Sequence, residues 1–234
     1  MKKIILTLVA VLVCSSLVSA QAQLQIPDDS FDFGIVPNNS KSSHTYWLKS
    51  VGTDTLKILK VIPGCGCTRV PLRNKTIAPG DSTAFEIIFS SGQRNGKTIK
   101  HPAILTNDGT GRRKLTFNAD ITHTPENTFP LVYKPFKVHV SKAGEVDITS
   151  AKFTISNLSE KEISLTLVSV PPGYFSVEFP DNIKAGETVE CKLSLTESVL
   201  GHAFEKSITF QTNDEAKTRF TLPVVRRIIG SGKS

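Results

Sequence analysis

The chain has 234 residues and a formal net charge of +7. Its basic residues are spread along the sequence and do not form the concentrated stripe that follows a phosphate backbone, which argues against a nucleic-acid partner. Removing an N-terminal segment of 22 residues leaves about 212, a length that suits two small domains.

The N-terminus has the layout of an export signal. Lys2 and Lys3 precede an apolar run over residues 4–13, which is shorter than the ~20 residues that a membrane-spanning helix needs. Val18-Ser19-Ala20 and Ala20-Gln21-Ala22 both fit a signal-peptidase site. We therefore predict a cleaved signal peptide over residues 1–22 and a periplasmic or extracellular mature protein.

Cys14 raises the alternative of a lipoprotein. A lipid-attachment cysteine needs a small residue directly before it, and Val13 is not small. Apolar sequence also continues past Cys14, so we favour the cleaved signal. No other long apolar run follows, and we expect no transmembrane segment in the mature chain.

The rest of the chain contains an internal repeat. The segment "TIAPGDSTAFEIIF" at 76–89 aligns with "NIKAGETVECKLSL" at 182–195, at an offset of 106 residues. Thr106-Asn107-Asp108 recurs as Thr212-Asn213-Asp214 at the same offset. A repeat unit of about 100 residues indicates two similar domains.

Within each repeat, polar and apolar residues alternate in short runs separated by turn residues. In "VECKLSL", Val189, Cys191, Leu193 and Leu195 share one face, a pattern typical of half-buried strands. We predict an all-β protein with two tandem immunoglobulin-like β-sandwich domains after the signal peptide. The first predicted domain covers residues 23–124 and the second covers residues 125–230.

The stretch "VIPGCGCTRVP" at 61–71 places two cysteines one residue apart. The second repeat has Pro171-Pro172-Gly173-Tyr174-Phe175 instead, so the fold does not require Cys65 and Cys67. Three interpretations stay open for this pair: a disulfide or plain turn, a labile thiol pair, or a soft-metal site for an ion such as Cu(I). His44 and His101 are the candidates to assist a metal.

Two further residues follow from the repeat alignment. Cys191 aligns with Phe85, so we expect it to be a small buried core residue with a free thiol. Trp47 alternates with Tyr46 and Leu48 and should therefore point outward. It is a candidate for binding a partner or sugar, although we favour the plainer interpretation that it packs under the linker or against the second domain.

The first repeat resembles the bacterial domain-of-unknown-function family numbered 1573, whose members are mostly exported proteins. The matching residues lie within 31–121 and include Phe31-Asp32-Phe33-Gly34, Cys65-Gly66-Cys67-Thr68, Ile77-Ala78-Pro79-Gly80 and Thr106-Asn107-Asp108. The resemblance implies an immunoglobulin-like domain and export. It implies no biochemical activity.

Motifs of the common catalytic classes are absent from the sequence: we find no G-x-S-x-G, no H-E-x-x-H and no phosphate-binding loop. We predict a non-enzymatic protein without a cofactor that binds or scaffolds a protein or glycan of the cell envelope. The alternative is a periplasmic thiol-redox or copper-handling protein that acts through Cys65 and Cys67.

Overall fold

The computed structural model describes residues 20–72, 74–124, 126 and 128–229. These residues form β-strands and connecting turns, with a 3₁₀ turn at Glu197–Val199. The predicted all-β fold class is confirmed. Within the described ranges, no helix is long and apolar enough to cross a bilayer. Residues 1–19, which hold most of the predicted signal and Cys14, lie outside the described residues.

Eleven strands are described before residue 123, which we call the first unit. They are β1 (Leu24–Gln25), β2 (Ser30–Pro37), β3 (Lys41–Ser50), β4 (Leu56–Ile62), β5 (Thr68–Arg69), β6 (Thr76–Ile77), β7 (Ser82–Ser90), β8 (Gly96–Lys100), β9 (Ala103–Thr106), β10 (Arg112–Lys114) and β11 (Thr116–Thr122).

Twelve strands are described after residue 128, which we call the second unit. They are β12 (Leu131–Lys134), β13 (Val138–His139), β14 (Lys142–Ala143), β15 (Val146–Asp147), β16 (Ser150–Asn157), β17 (Ile163–Ser169), β18 (Phe175–Glu178), β19 (Asn182–Ile183), β20 (Thr188–Leu195), β21 (Phe204–Thr212), β22 (Arg219–Arg226) and β23 (Ile228–Ile229).

Each unit has its own hydrophobic core, built by the alternation seen in the sequence. Along β7, the buried residues Thr83, Phe85 and Ile87 alternate with Ser82 and Ala84, which are exposed. One core cluster is drawn from residues 22–121 and the other from residues 131–224. The predicted boundary near residue 125 falls between the two clusters, while independent folding of the two domains stays a prediction.

The same strand registers occur in both units. In the first unit Tyr46 of β3 pairs with Phe85 of β7, and in the second Phe153 of β16 pairs with Cys191 of β20. Phe85 and Cys191 are the positions that the repeat alignment places together. The registers therefore show that Cys191 and Phe85 occupy equivalent positions in the two units.

The asparagine of the repeated Thr-Asn-Asp motif clamps a strand in both units. Asn107 Oδ1 accepts from the Lys57 N–H at 2.7 Å, and the Asn107 N–H donates to the Lys57 carbonyl at 3.1 Å. Asn213 makes the same two bonds to Ser164, at 2.9 and 3.2 Å. The motif therefore has a structural role in holding neighbouring strands together.

The units are joined by a continuous sheet, a feature that the tandem-domain prediction did not include. The sheet runs in the order β19-β17-β21-β22-β2-β11-β8, so that β2 of the first unit lies beside β22 of the second. Ile35 pairs with Phe220 in parallel register. The Thr221 hydroxyl donates to the Phe33 carbonyl at 2.6 Å, which adds a buried bond across the junction.

Four smaller sheets complete the fold, and two of them cover the first core. Those two have the strand orders β1-β3-β7-β5 and β10-β9-β4-β6. In the second unit, β12-β16-β20-β18 packs over the core, and β15-β14-β23 forms a three-stranded extension. The short strand β5 is therefore an edge, and the cysteine turn leads directly into it.

Candidate functional site

The cysteine turn connects β4 to the edge strand β5. The structure joins the sulfur atoms of Cys65 and Cys67, whose Cα atoms lie 5.2 Å apart, and both residues are half-buried. The Ser90 N–H donates to the Cys67 carbonyl at 2.8 Å, and the Thr68 N–H donates to the Cys65 carbonyl at 3.2 Å. Backbone bonds therefore fix the turn against β7 regardless of what the sulfurs do.

Gly64 is the glycine that this turn requires. Its φ is +84°, and a Cβ there would lie 2.9 Å from the carbonyl oxygen of His101. Gly66, between the cysteines, has no atom within 4 Å of a Cβ position and no positive φ. The backbone conformation of the turn therefore requires a glycine before the cysteine pair, and not between the two cysteines.

The structure does not bring the two candidate histidines to the cysteines as a metal cluster. His44 stacks on Phe31 with ring centroids 3.5 Å apart, and burial, followed by the charge of Arg219, lowers the pKa of His44 to about 4. His101 Nδ1 lies 3.3 Å from Thr116 Oγ1. Among the described residues, no group of three or more His, Cys, Asp or Glu side chains could hold a metal ion. A soft metal would therefore be bound by the two thiolates.

Thr68 places a side-chain hydroxyl within hydrogen-bonding distance of the cysteine pair. Its hydroxyl oxygen lies 3.2 Å from Cys65 Sγ. If the pair were reduced, this hydroxyl could donate to a Cys65 thiolate, and a donor of this kind stabilises the charged form. The turn thus has one local feature that suits thiol chemistry.

Cys191 is in the core of the second unit, as the repeat alignment predicted. It is free and buried, with 1% of its surface exposed. Burial, together with the nearby charge of Glu190, raises the pKa of the Cys191 thiol to about 12. A protonated, buried thiol of this kind is chemically inert.

A groove between the two units begins next to the cysteine turn. Its volume is about 530 Å³. The first unit contributes the edge strand β5 and its neighbour β7, and the second contributes β21, β22 and the turn before β18. Its charged and aromatic lining residues include Arg69, Glu86, Tyr174, Phe204, Lys206 and Arg227.

Ionic contacts cross this groove and tie its two walls together. Lys206 of the second unit forms an ion pair with Glu86 of the first, and both side chains are largely buried. The Lys206 ammonium also lies 4.6 Å from the ring centroid of Tyr174. Lys41 and Glu205 form a second, more exposed pair between the units. These pairs neutralise the carboxylates that line the groove.

Positive charge remains on the groove after these pairs are counted. Arg69 and Arg227 are exposed, and within the described part of the chain neither side chain has an ion pair or hydrogen bond. Arg226 also lines the groove. It is buried and pairs with Asp147 at 2.9 Å, but its Nε has no partner among the described residues. The groove therefore combines aromatic surface with guanidinium groups free to bind a carboxylate or phosphate.

Trp47 lies at a second recess along the same seam. Its side chain is 47% exposed, as the alternation of β3 predicted. The recess has a volume of about 260 Å³ and is also lined by Val170, Pro171 and Pro172 of the second unit. Trp47 therefore faces the second unit and still offers part of its ring to solvent.

The groove itself was not predicted from the sequence, although one signal pointed to it. The alignment placed "PGCGC" of the first unit against "PPGYF" of the second. Tyr174 comes from that second turn, and Arg69 follows the first by two residues. One turn and the strand that follows its equivalent thus both supply residues to the same groove.

Fold and site together define the chain as an all-β protein of two units, each with its own hydrophobic core, with a groove between them. Residues 24–121, which form the first unit, match the model of the family described as "Protein of unknown function (DUF1573)". The resemblance stated from the sequence is therefore confirmed for this unit. A search of the curated proteins finds no match to the chain.

Solved structures similar to this chain include a protein of unknown function from Porphyromonas gingivalis W83, at 13% identity and a TM-score of 0.37, covering 87% of this chain and 99% of that one. The CupB2 chaperone of Pseudomonas aeruginosa is similar at 8% identity and a TM-score of 0.33, covering 85% and 98%. A PapD-like domain of human CEP192 has 12% identity and a TM-score of 0.36, covering 47% and 96%.

Proposed function

We propose that the protein is an exported, non-catalytic binding or scaffolding protein of the bacterial cell envelope, and that it holds an acidic partner protein in the groove between its units. The observation that carries this proposal is the pair of exposed guanidinium groups, Arg69 and Arg227, beside the aromatic rings of Tyr174 and Phe204. Aromatic residues and arginines are the side chains that most often dominate binding energy at protein interfaces.

The contacts of the first described residues support export with cleavage after Ala20. The Gln21 N–H donates to Thr53 Oγ1 at 3.0 Å, and the Gln21 carbonyl accepts from the Thr53 N–H at 2.9 Å. Ala22 is buried in the first core. Cleavage after Ala22 would remove these contacts, so we propose a mature protein that begins at Gln21.

Site-specific photocrosslinking in the native host tests the groove. A benzoyl-phenylalanine in place of Tyr174 should give a discrete adduct with an envelope protein, because the ring lines the groove. The same probe in place of Leu158, which is 53% exposed at another surface, should not give that adduct.

Charge reversal supplies the matched control for this experiment. Arg69→Glu should abolish the adduct, whereas Lys184→Glu, an equal change at an exposed position outside the groove, should leave it intact. Identical adducts from the Tyr174 and Leu158 positions, or an adduct insensitive to Arg69→Glu, would contradict the proposal.

The second candidate is a thiol-redox or copper-handling protein that acts through Cys65 and Cys67. The observation in its favour is the Thr68 hydroxyl, 3.2 Å from Cys65 Sγ, which suits a stabilised thiolate. The two candidates differ in the state of the cysteines in native protein, which thiol counting measures.

A further inference from the structure

The sheet β10-β9-β4-β6 of the first unit carries a marked excess of positive charge. Its four strands contain five basic residues and no aspartate or glutamate. The basic residues are Lys57, Lys60, Arg112, Arg113 and Lys114. In the sequence they are scattered over 58 positions, from 57 to 114, and only the sheet brings them together.

The strand register places four of these cations on the outer face of the sheet. Lys60 pairs with Leu105, which pairs with Arg112, and residues paired across a sheet point to the same side. Lys114 lies two residues after Arg112 on β10, so its side chain points to the same side. Lys57, on β4, pairs with Thr76 of β6. All four side chains are exposed.

The described part of the chain supplies no partner that neutralises these four cations. Within the described residues, no ion pair or side-chain hydrogen bond involves Lys57, Lys60, Arg112 or Lys114. Other lysines of this protein do have such partners, such as Lys152 with Glu190 at 2.7 Å. The outer face of this sheet is thus an unpaired cationic surface, which we call the basic face.

An apolar side chain projects from the middle of the basic face. Leu59 is the extra residue at a register shift between Ile58 and Lys60, and 59% of it is exposed. A protruding leucine gains nothing from an anionic polysaccharide in water. Flanked by lysines at a bilayer surface, it can enter the boundary between headgroups and acyl chains while the ammonium groups bind phosphates.

We propose that the basic face docks the protein on a membrane surface rich in anionic phospholipid, with Leu59 inserted among the headgroups. This inference goes beyond the groove proposal and does not depend on it. The two first-unit strands that line the groove are β5 and β7, and they lie in a different sheet. A protein bound to a membrane through the basic face would therefore keep its groove free for a partner.

Vesicle flotation with the full mature chain tests this docking. The probes are vesicles of phosphatidylglycerol and phosphatidylcholine mixed, and vesicles of phosphatidylcholine alone. We expect binding to the anionic vesicles only, and its loss at high salt. Each basic residue near an anionic surface is worth about fivefold in partition, so Lys60→Gln with Arg112→Gln should weaken binding about 25-fold.

Matched variants separate the basic face from general charge. Lys161→Gln with Lys184→Gln removes the same charge from exposed positions of the second unit and should leave binding unchanged. Leu59→Ser should weaken binding several-fold at constant charge. All of these positions are exposed, and thermal midpoints should confirm that every variant remains folded.

Three results would overturn the proposal. If the double variant of Lys60 and Arg112 and the double variant of Lys161 and Lys184 weakened vesicle binding equally, net charge alone would account for the binding. Full vesicle binding by Leu59→Ser, with sensitivity only to the cations, would show that binding is purely electrostatic and that Leu59 does not insert. Self-association that the Lys60 and Arg112 substitutions abolish, without any vesicle binding, would favour a second copy of the chain.

Discussion

At the scale of single residues, the three cysteines of the described chain have different surroundings. Cys65 and Cys67 are half-buried in a turn that backbone hydrogen bonds fix to β7. Cys191 is enclosed in the second core opposite Phe153. Since the equivalent turn of the second unit forms without cysteines, Cys65 and Cys67 are free to serve chemistry or to be oxidised.

Thiol counting on native and unfolded protein distinguishes these states. We predict that Cys65 and Cys67 are bonded to each other in the exported protein, because partly accessible thiols this close together oxidise outside the cytoplasm. Native protein should then show no reactive thiol, and unfolded protein should show one, at Cys191. The Cys191→Ala variant should show none in either state.

Two reactive thiols in the native protein, mapped to Cys65 and Cys67, would disprove the disulfide. That result would favour the thiol or copper function, and protection of both thiols by added Cu(I) would identify the metal-binding form. A disulfide that closes so short a loop adds little stability. Cys65→Ser with Cys67→Ser should therefore leave the thermal midpoint nearly unchanged.

At the scale of strands, the junction of β2 and β22 depends on Gly34. Its φ is +60°, and a Cβ there would lie 2.0 Å from the backbone carbonyl oxygen of Arg219. The two backbones can approach this closely only because Gly34 has no side chain. This contact gives a physical reason for the glycine in the Phe-Asp-Phe-Gly motif.

Gly34→Ala should therefore destabilise the protein by roughly 2 kcal/mol or more, through backbone strain and the clash with Arg219. Gly201→Ala is the matched control, because Gly201 lacks a positive φ and has open space at its Cβ position. It should change stability by less than about 0.5 kcal/mol. Chemical denaturation measures both, and equal effects would refute the role of Gly34.

Sequence patterns predicted the elements well because their signals are local. Alternation along β7 and β20 identified Phe85 and Cys191 as core residues, and the repeat related the two units. The groove and the basic face depend on pairings that no local pattern encodes. Lys60 and Arg112 lie on one face only because both pair with Leu105 of β9. Gly34 contacts Arg219, which is 185 positions away in the sequence.

At the scale of the whole molecule, the two cores are linked by several kinds of contact. The shared sheet joins β2 to β22, and the Lys206–Glu86 pair crosses the groove. The Ser43 N–H also donates to Ser207 Oγ at 2.9 Å, and this bond is buried. Separating the units would exchange these buried bonds for bonds to water, and the difference couples the stability of one unit to the other.

The two units form one body with a groove built from both. Each unit has its own reporter: Trp47 is the only tryptophan and lies in the first unit, while Cys191 is buried in the second. Guanidinium denaturation should be followed by Trp47 fluorescence and by labelling of Cys191, quantified on its own peptide. We predict coincident midpoints for wild-type protein and separated midpoints for Gly34→Ala. Separate midpoints in the wild-type protein would show that the two units unfold independently and do not form one body.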